Sequence, residues 1–107
     1  RFLFGTSALD DRYPAKLIMA AFVLDGRRVA VPWLALREVG SLDAEVHGTG
    51  VRLVVTGGEL TARLADGGTL PFYFEMWFSW VAQNGASGVV LDPQLCSSTP
   101  CMVPDRE

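Results

Sequence analysis

The sequence predicts an α+β fold: a small, mostly antiparallel β-sheet of five to six short strands, one aromatic-rich helix near the C-terminus, and an irregular tail. Three observations carry this expectation. β-rich runs recur at a spacing of about ten residues, punctuated by glycine turns. The turns between them are too short for parallel crossovers, which need a dozen or more residues. Residues 70–85 place Phe74, Trp77, Phe78 and Val81 on one stripe at helical spacing.

The elements follow in order. Residues 1–15 read as a short extended piece and a loop ending in Tyr13-Pro14. Residues 16–24 are apolar enough for a central strand. Asp25-Gly26 is a hairpin signal, residues 28–31 return as the partner strand, and Pro32 stops it. Trp33 to Val39 forms a short helical turn, broken by Gly40. Residues 43–47 are a short strand, turned by Gly48-Thr49-Gly50. Residues 51–55 and 59–64 are strands joined at Thr56-Gly57-Gly58. In the second, Leu60, Ala62 and Leu64 alternate with Glu59, Thr61 and Arg63, the mark of a sheet with one wet face. Asp66-Gly67-Gly68 is a further turn, and residues 69–72 run as a short strand into the aromatic helix. Val89-Val90-Leu91 suits a sheet edge. One domain over residues 1–91 with a tail over 92–107 accounts for the chain.

In the helix, Pro71 suits the first turn and Asn84-Gly85 the close. A second apolar stripe, Tyr73, Met76 and Trp80, lies a quarter turn or more from the first. A small domain buries one stripe against its sheet, so the second is expected to meet another protein, where Trp, Tyr and Met are enriched. Trp80→Ala is then expected to weaken binding more than stability, and Trp77→Ala the reverse. The competing reading is plain core.

Charge and length exclude other classes. A net charge of −3 and only one adjacent basic pair, Arg27-Arg28, leave no phosphate-binding track, so nucleic acid is not expected. The longest apolar run, residues 17–24, is eight residues against about 20 for a bilayer span. The start at Arg1, followed by Phe2-Leu3-Phe4, suggests that a signal, anchor or domain precedes it. Cys96 and Cys101 are either free thiols or a small disulfide ring. Pro100 and the polar spacer favour the ring and an oxidising compartment. With His47 distant in sequence, no tetrahedral metal site forms, and no cofactor is expected.

Few residues invite chemistry. His47 is the sole histidine, but no nucleophile is placed to complete a triad, so an ordinary histidine is the stronger reading. Asp10-Asp11 beside Arg12 is a carboxylate pair, or a solvated loop with a local ion pair. The Gly-Gly turns lie between strands, where a phosphate loop would lead into a helix.

Two segments carry a resemblance. Residues 11–16, Asp-Arg-Tyr-Pro-Ala-Lys, and residues 23–32, Val-Leu-Asp-Gly-Arg-Arg-Val-Ala-Val-Pro, lead into a short helix. Leu70-Pro71 with Trp77-Phe78-Ser79-Trp80-Val81-Ala82 closes the domain. Over about residues 9–85 the chain resembles the C-terminal half of the bacterial domain of unknown function 3179. That family's cysteine-containing "Y-C-P-x-C" stretch has no counterpart here, and Cys96 and Cys101 match it in neither position nor spacing. The resemblance implies an exported protein and supplies no mechanism.

The function expected is a non-catalytic, extracytoplasmic (periplasmic) interaction module. It would be an accessory subunit docked on a larger, membrane-associated complex through Tyr73, Met76 and Trp80 and its tail. The alternatives are a ligand-binding or enzymatic domain with Trp33, His47 or Asp10 at a pocket mouth between helix and sheet, and a thiol-redox protein using Cys96 and Cys101.

Overall fold

A computed structural model describes residues 12–96 and 98–103. β1 (Ile18–Leu24) and β2 (Arg27–Pro32) pair as an antiparallel hairpin. Asp25 and Gly26 at its tip have φ of 54° and 81°. Two consecutive left-handed residues make the turn whose twist matches that of paired strands, and Asp and Gly tolerate that conformation best. α1 (Trp33–Val39) follows β2 directly and stops at Gly40, whose left-handed backbone lets its N–H bond the Leu36 carbonyl. The helix carries the chain out of the first sheet and into a second.

That second sheet begins as a meander of β3 (Ser41–Val46), β4 (Thr49–Thr56) and β5 (Glu59–Leu64), turned at His47-Gly48 and Gly57-Gly58. The chain then returns to the first sheet. β6 (Tyr73–Met76) pairs antiparallel with β1 and runs without a break into α2 (Trp77–Asn84). After a 3-10 turn at Gly85–Ser87, β7 (Val89–Val90) lies parallel to β2, and β8 (Cys101–Val103) lies parallel to β3. The strand orders are β6-β1-β2-β7 and β5-β4-β3-β8.

Strand alternation then builds three layers. Ala20, Phe22, Leu24, Val29 and Val31 of the first sheet meet Leu42, Ala44, Val46, Val51, Leu53, Leu60 and Ala62 of the second in one core. From the opposite face of the first sheet, Met19, Ala21 and Ala30 meet Trp77, Trp80 and Val81 of α2 in another. The middle of β1 and the end of β2 are therefore covered on both sides, which is why residues 19–22 are all buried, while Ile18 and Val23 of the same apolar run stay exposed. α2 buries Trp77, Trp80, Val81 and Asn84, spaced i, i+3, i+4 and i+7.

The α+β class holds, with several corrections. Among the described residues there are eight strands in two sheets, where five or six in one were expected. Two edge pairings are parallel, reached through long connections rather than tight turns. The helix is Trp77–Asn84, shorter than the expected 71–85, because Tyr73–Met76 pair with β1. The turn after β3 is His47-Gly48, with Thr49 and Gly50 already in β4. The segment expected as an irregular tail contributes β8 and closes the Cys96–Cys101 disulfide, with Cα atoms 5.5 Å apart.

Candidate functional site

The two-stripe helix dissolves on inspection of the junction at Met76. Tyr73 and Met76 sit on a strand, and Trp80 sits in the helix core, 1% exposed and stacked on Trp77 with ring centroids 5.8 Å apart. Trp80 is therefore corrected from surface to core, since the helix starts at Trp77 and the inward stripe starts with it. Tyr73, Phe74 and Met76 are exposed, at 41%, 48% and 40%.

These residues form the outer strand of the first sheet. Tyr73 faces Ala21 and Glu75 faces Met19, so their side chains share the face that carries α2. Phe74 and Met76 point to the other face. There Phe74 meets Phe72 and Trp33 edge-on, with centroids 5.7 and 5.0 Å away. Leu34, 59% exposed, follows Trp33 in α1. The result is an apolar rim running from β6 to the start of α1.

The backbone of β6 is half used. Trp77 N–H donates to the Leu17 carbonyl at 2.8 Å, which makes that pair a hydrogen-bonded one in the β1–β6 register. Alternation makes Met19–Glu75 and Ala21–Tyr73 the next bonded pairs. The N–H and C=O of Phe74 and the N–H of Met76 therefore face away from β1. Among the described residues no strand pairs with that side.

Other edges are guarded in the ways natural sheets use. β5 carries Glu59 and Arg63, and Thr69 bridges to Arg63. β7 has two residues and β8 three. β6 has neither Lys nor Pro, and its one charge, Glu75, is drawn back toward α2. Glu75 Oε2 accepts from Ser79 Oγ at 2.5 Å and from Gln83 Nε2 at 3.2 Å.

The candidates for chemistry are placed otherwise. His47 occupies a left-handed turn position with φ of 52°, where His is among the better-tolerated residues. Its Nδ1 accepts from Arg27 Nε, tying the tips of the two sheets' hairpins together beside a Thr49–Asp25 contact at 3.4 Å. Trp33 lies at the other end of β2, so Trp33 and His47 do not converge. The space between α2 and the sheet is filled by Met19, Ala21, Ala30, Trp77, Trp80 and Val81. Asp10 and Asp11 lie outside the described residues. Arg12 lies 5.3 Å over the Trp77 ring. Among the described residues no group of three or more His, Cys, Asp or Glu is arranged to hold a metal.

A cleft of about 290 Å³ opens beside the disulfide, lined by Tyr13, Asp92, Leu95, Cys96 and Met102 among others. Its carboxylate is spent within the fold: Tyr13 Oη donates to Asp92 Oδ2 at 2.7 Å, and Gln94 N–H donates to Oδ1 at 2.9 Å.

Sequence reasoning missed Phe74 as a surface residue, and it set Trp33 at a pocket mouth where the structure packs it, half-buried, against Phe74. The available signal was Phe72-Tyr73-Phe74, three strand-favouring aromatics directly after a proline. No family model matches the chain, and no curated protein or solved structure matches it. No helix among the described residues is long and apolar enough to cross a membrane.

Proposed function

We propose that this chain is a non-catalytic extracytoplasmic interaction module, an accessory subunit that docks on a larger, membrane-associated protein complex. The single observation that carries the reading is the unguarded β6 edge, where Tyr73, Phe74 and Met76 are exposed beside Trp33 and Leu34. An apolar rim with aromatic anchors and unused backbone hydrogen-bonding groups is the composition of a protein contact. The Cys96–Cys101 disulfide supports an oxidising compartment. The likeness of residues 9–85 to the domain of unknown function 3179 belongs to the same proposal and points the same way.

The test is purification of the native protein from its own cells in mild detergent, with mass spectrometry of what accompanies it. The expected result is co-purification in fixed stoichiometry, lost in a Tyr73→Ala, Met76→Ala double variant. Stability of that variant is expected to change little, since exposed positions usually count for within about 0.5 kcal/mol each. Recovery of the wild type alone, or undiminished capture by the variant, would overturn the docking role.

A further inference from the structure

We infer that the β6 edge is self-complementary and pairs antiparallel with the β6 edge of a second copy of this chain, joining the two first sheets into one continuous sheet. The inference rests on the reading of β6 as a contact surface and makes a second copy its occupant; the unit that joins a larger complex is then the dimer, and the Tyr73→Ala, Met76→Ala loss of capture is loss of that dimer.

The outward backbone groups of β6 belong to Phe74 and Met76. A twofold axis beside Phe74 sets the N–H and C=O of Phe74 in one copy against the C=O and N–H of Phe74 in the other. This is the bonded pair of an antiparallel ladder. That register is the only symmetric one centred on the residue whose N–H and C=O both face outward. The side-chain pairs then follow. On the inter-sheet face Phe74 meets Phe74, and Phe72 of each copy faces Met76 of the other: one aromatic pair and two aromatic–thioether pairs. On the α2 face Tyr73 of each copy lies opposite Glu75 of the other. The described hydrogen bonds to Glu75 engage Oε2 alone, so Oε1 retains acceptor capacity for a phenol hydroxyl.

Charge favours this occupant. Glu75 is the only ionic side chain on the strand, and the register sets it against a hydroxyl donor rather than against the second Glu75. A like-charge pair directly opposite would oppose association. Each copy brings three residues of 40–48% exposure, Tyr73, Phe74 and Met76, to the contact. An isologous pairing buries the same set twice and closes on itself, leaving no free β6 edge to propagate.

The test is sedimentation of the full chain across a concentration series, alone and as variants. The wild type is expected to shift from monomer to dimer. Phe74→Lys, which sets two ammonium groups directly opposite each other, is expected to abolish the dimer. Tyr73→Glu puts carboxylates opposite Glu75 and is expected to raise the dissociation constant at least about tenfold. Tyr73→Lys puts an opposite charge there and is expected to leave the constant unchanged or lower it. The last two share an exposed position, so the comparison survives if Phe74→Lys fails to fold. A wild type that stays monomeric to about 1 mM, or a dimer indifferent to both Phe74→Lys and the sign of the charge at position 73, would overturn the inference. A monomer that still co-purifies with a larger complex through Tyr73 and Met76 would overturn the self-pairing and leave the docking role standing.

Discussion

Trp80 shows how one backbone residue can hold one side chain in place. Its ring is stacked on Trp77, and the edge of the ring meets the backbone at Gly88. A Cβ built on Gly88 would sit 2.4 Å from Trp80 Cη2 and 3.0 Å from Cζ2. The φ of Gly88 is −80°, an ordinary value for any residue, so the glycine is required by space and not by conformation. Gly88→Ala is therefore expected to destabilise the protein by about 1–3 kcal/mol, the range for overpacking a well-packed core. Trp80→Ala, which empties the same site, is expected to cost about 3–5 kcal/mol, and Trp77→Ala a similar amount. Chemical denaturation of the three variants checks this. An unchanged Gly88→Ala midpoint would mean that the Gly85–Val90 segment is not packed on the ring. The earlier contrast between the two tryptophans, one for binding and one for core, gives way to a shared structural role.

At the scale of elements, the decisive boundary is the one between β6 and α2. Phe72-Tyr73-Phe74 and Met76-Trp77-Phe78, separated by Glu75 alone, fit either a helix stripe or a strand, and short apolar runs are not separable by period alone. The partner strand settles the matter: Tyr73 and Glu75 find backbone partners on β1, and the first free helical register starts at Trp77. The C-terminal segment is a second case. β8 is only Cys101–Val103, too short to hold its place by pairing alone. The disulfide closes a ring spanning residues 96–101 and ties the strand's first residue to the chain that leaves Leu91 in the core. By the chain-entropy relation such a small loop contributes about 2 kcal/mol. A Cys96→Ser, Cys101→Ser variant is expected to lose about that much. The same variant is expected to show faster amide exchange at residues 44–46, the stretch of β3 that β8 covers. Unchanged exchange there would show that β8 is held by the sheet without its tether.

At the scale of the molecule, the described residues pass between the two sheets three times: through α1, between β5 and β6, and between β7 and β8. The second sheet thus has no core apart from the one it shares with the first. The first sheet lies between the second sheet and α2, so losing either cover exposes β1 and β2. Unfolding is expected to be a single cooperative step. Tryptophan fluorescence of a Trp33→Phe variant, which reports Trp77 and Trp80 of α2, should trace the same transition as the far-ultraviolet signal of the strands. Two separated midpoints would mean that the helix layer melts by itself. Local chemistry by itself determined a good part of this. The Asp25-Gly26 turn, α1 from Trp33 to Val39 with its Gly40 stop, the wet-faced alternation of β5 and the Cys96–Cys101 ring all depend on neighbours a few residues away, and all were legible from the sequence. The exposed aromatic edge was half legible: Tyr73 and Met76 were singled out, Trp80 was misplaced, and Phe74 was assigned to the core. Only the tertiary structure decided that the strands divide into two sheets, that Tyr73–Met76 extend rather than coil, and that Trp80 lies inside while Phe74 lies outside. The reason is physical. A turn is selected by the conformational preferences of its own residues, whereas a strand's identity and the burial of an aromatic ring depend on partners more than 50 residues away in the chain, as Tyr73 is from Ala21.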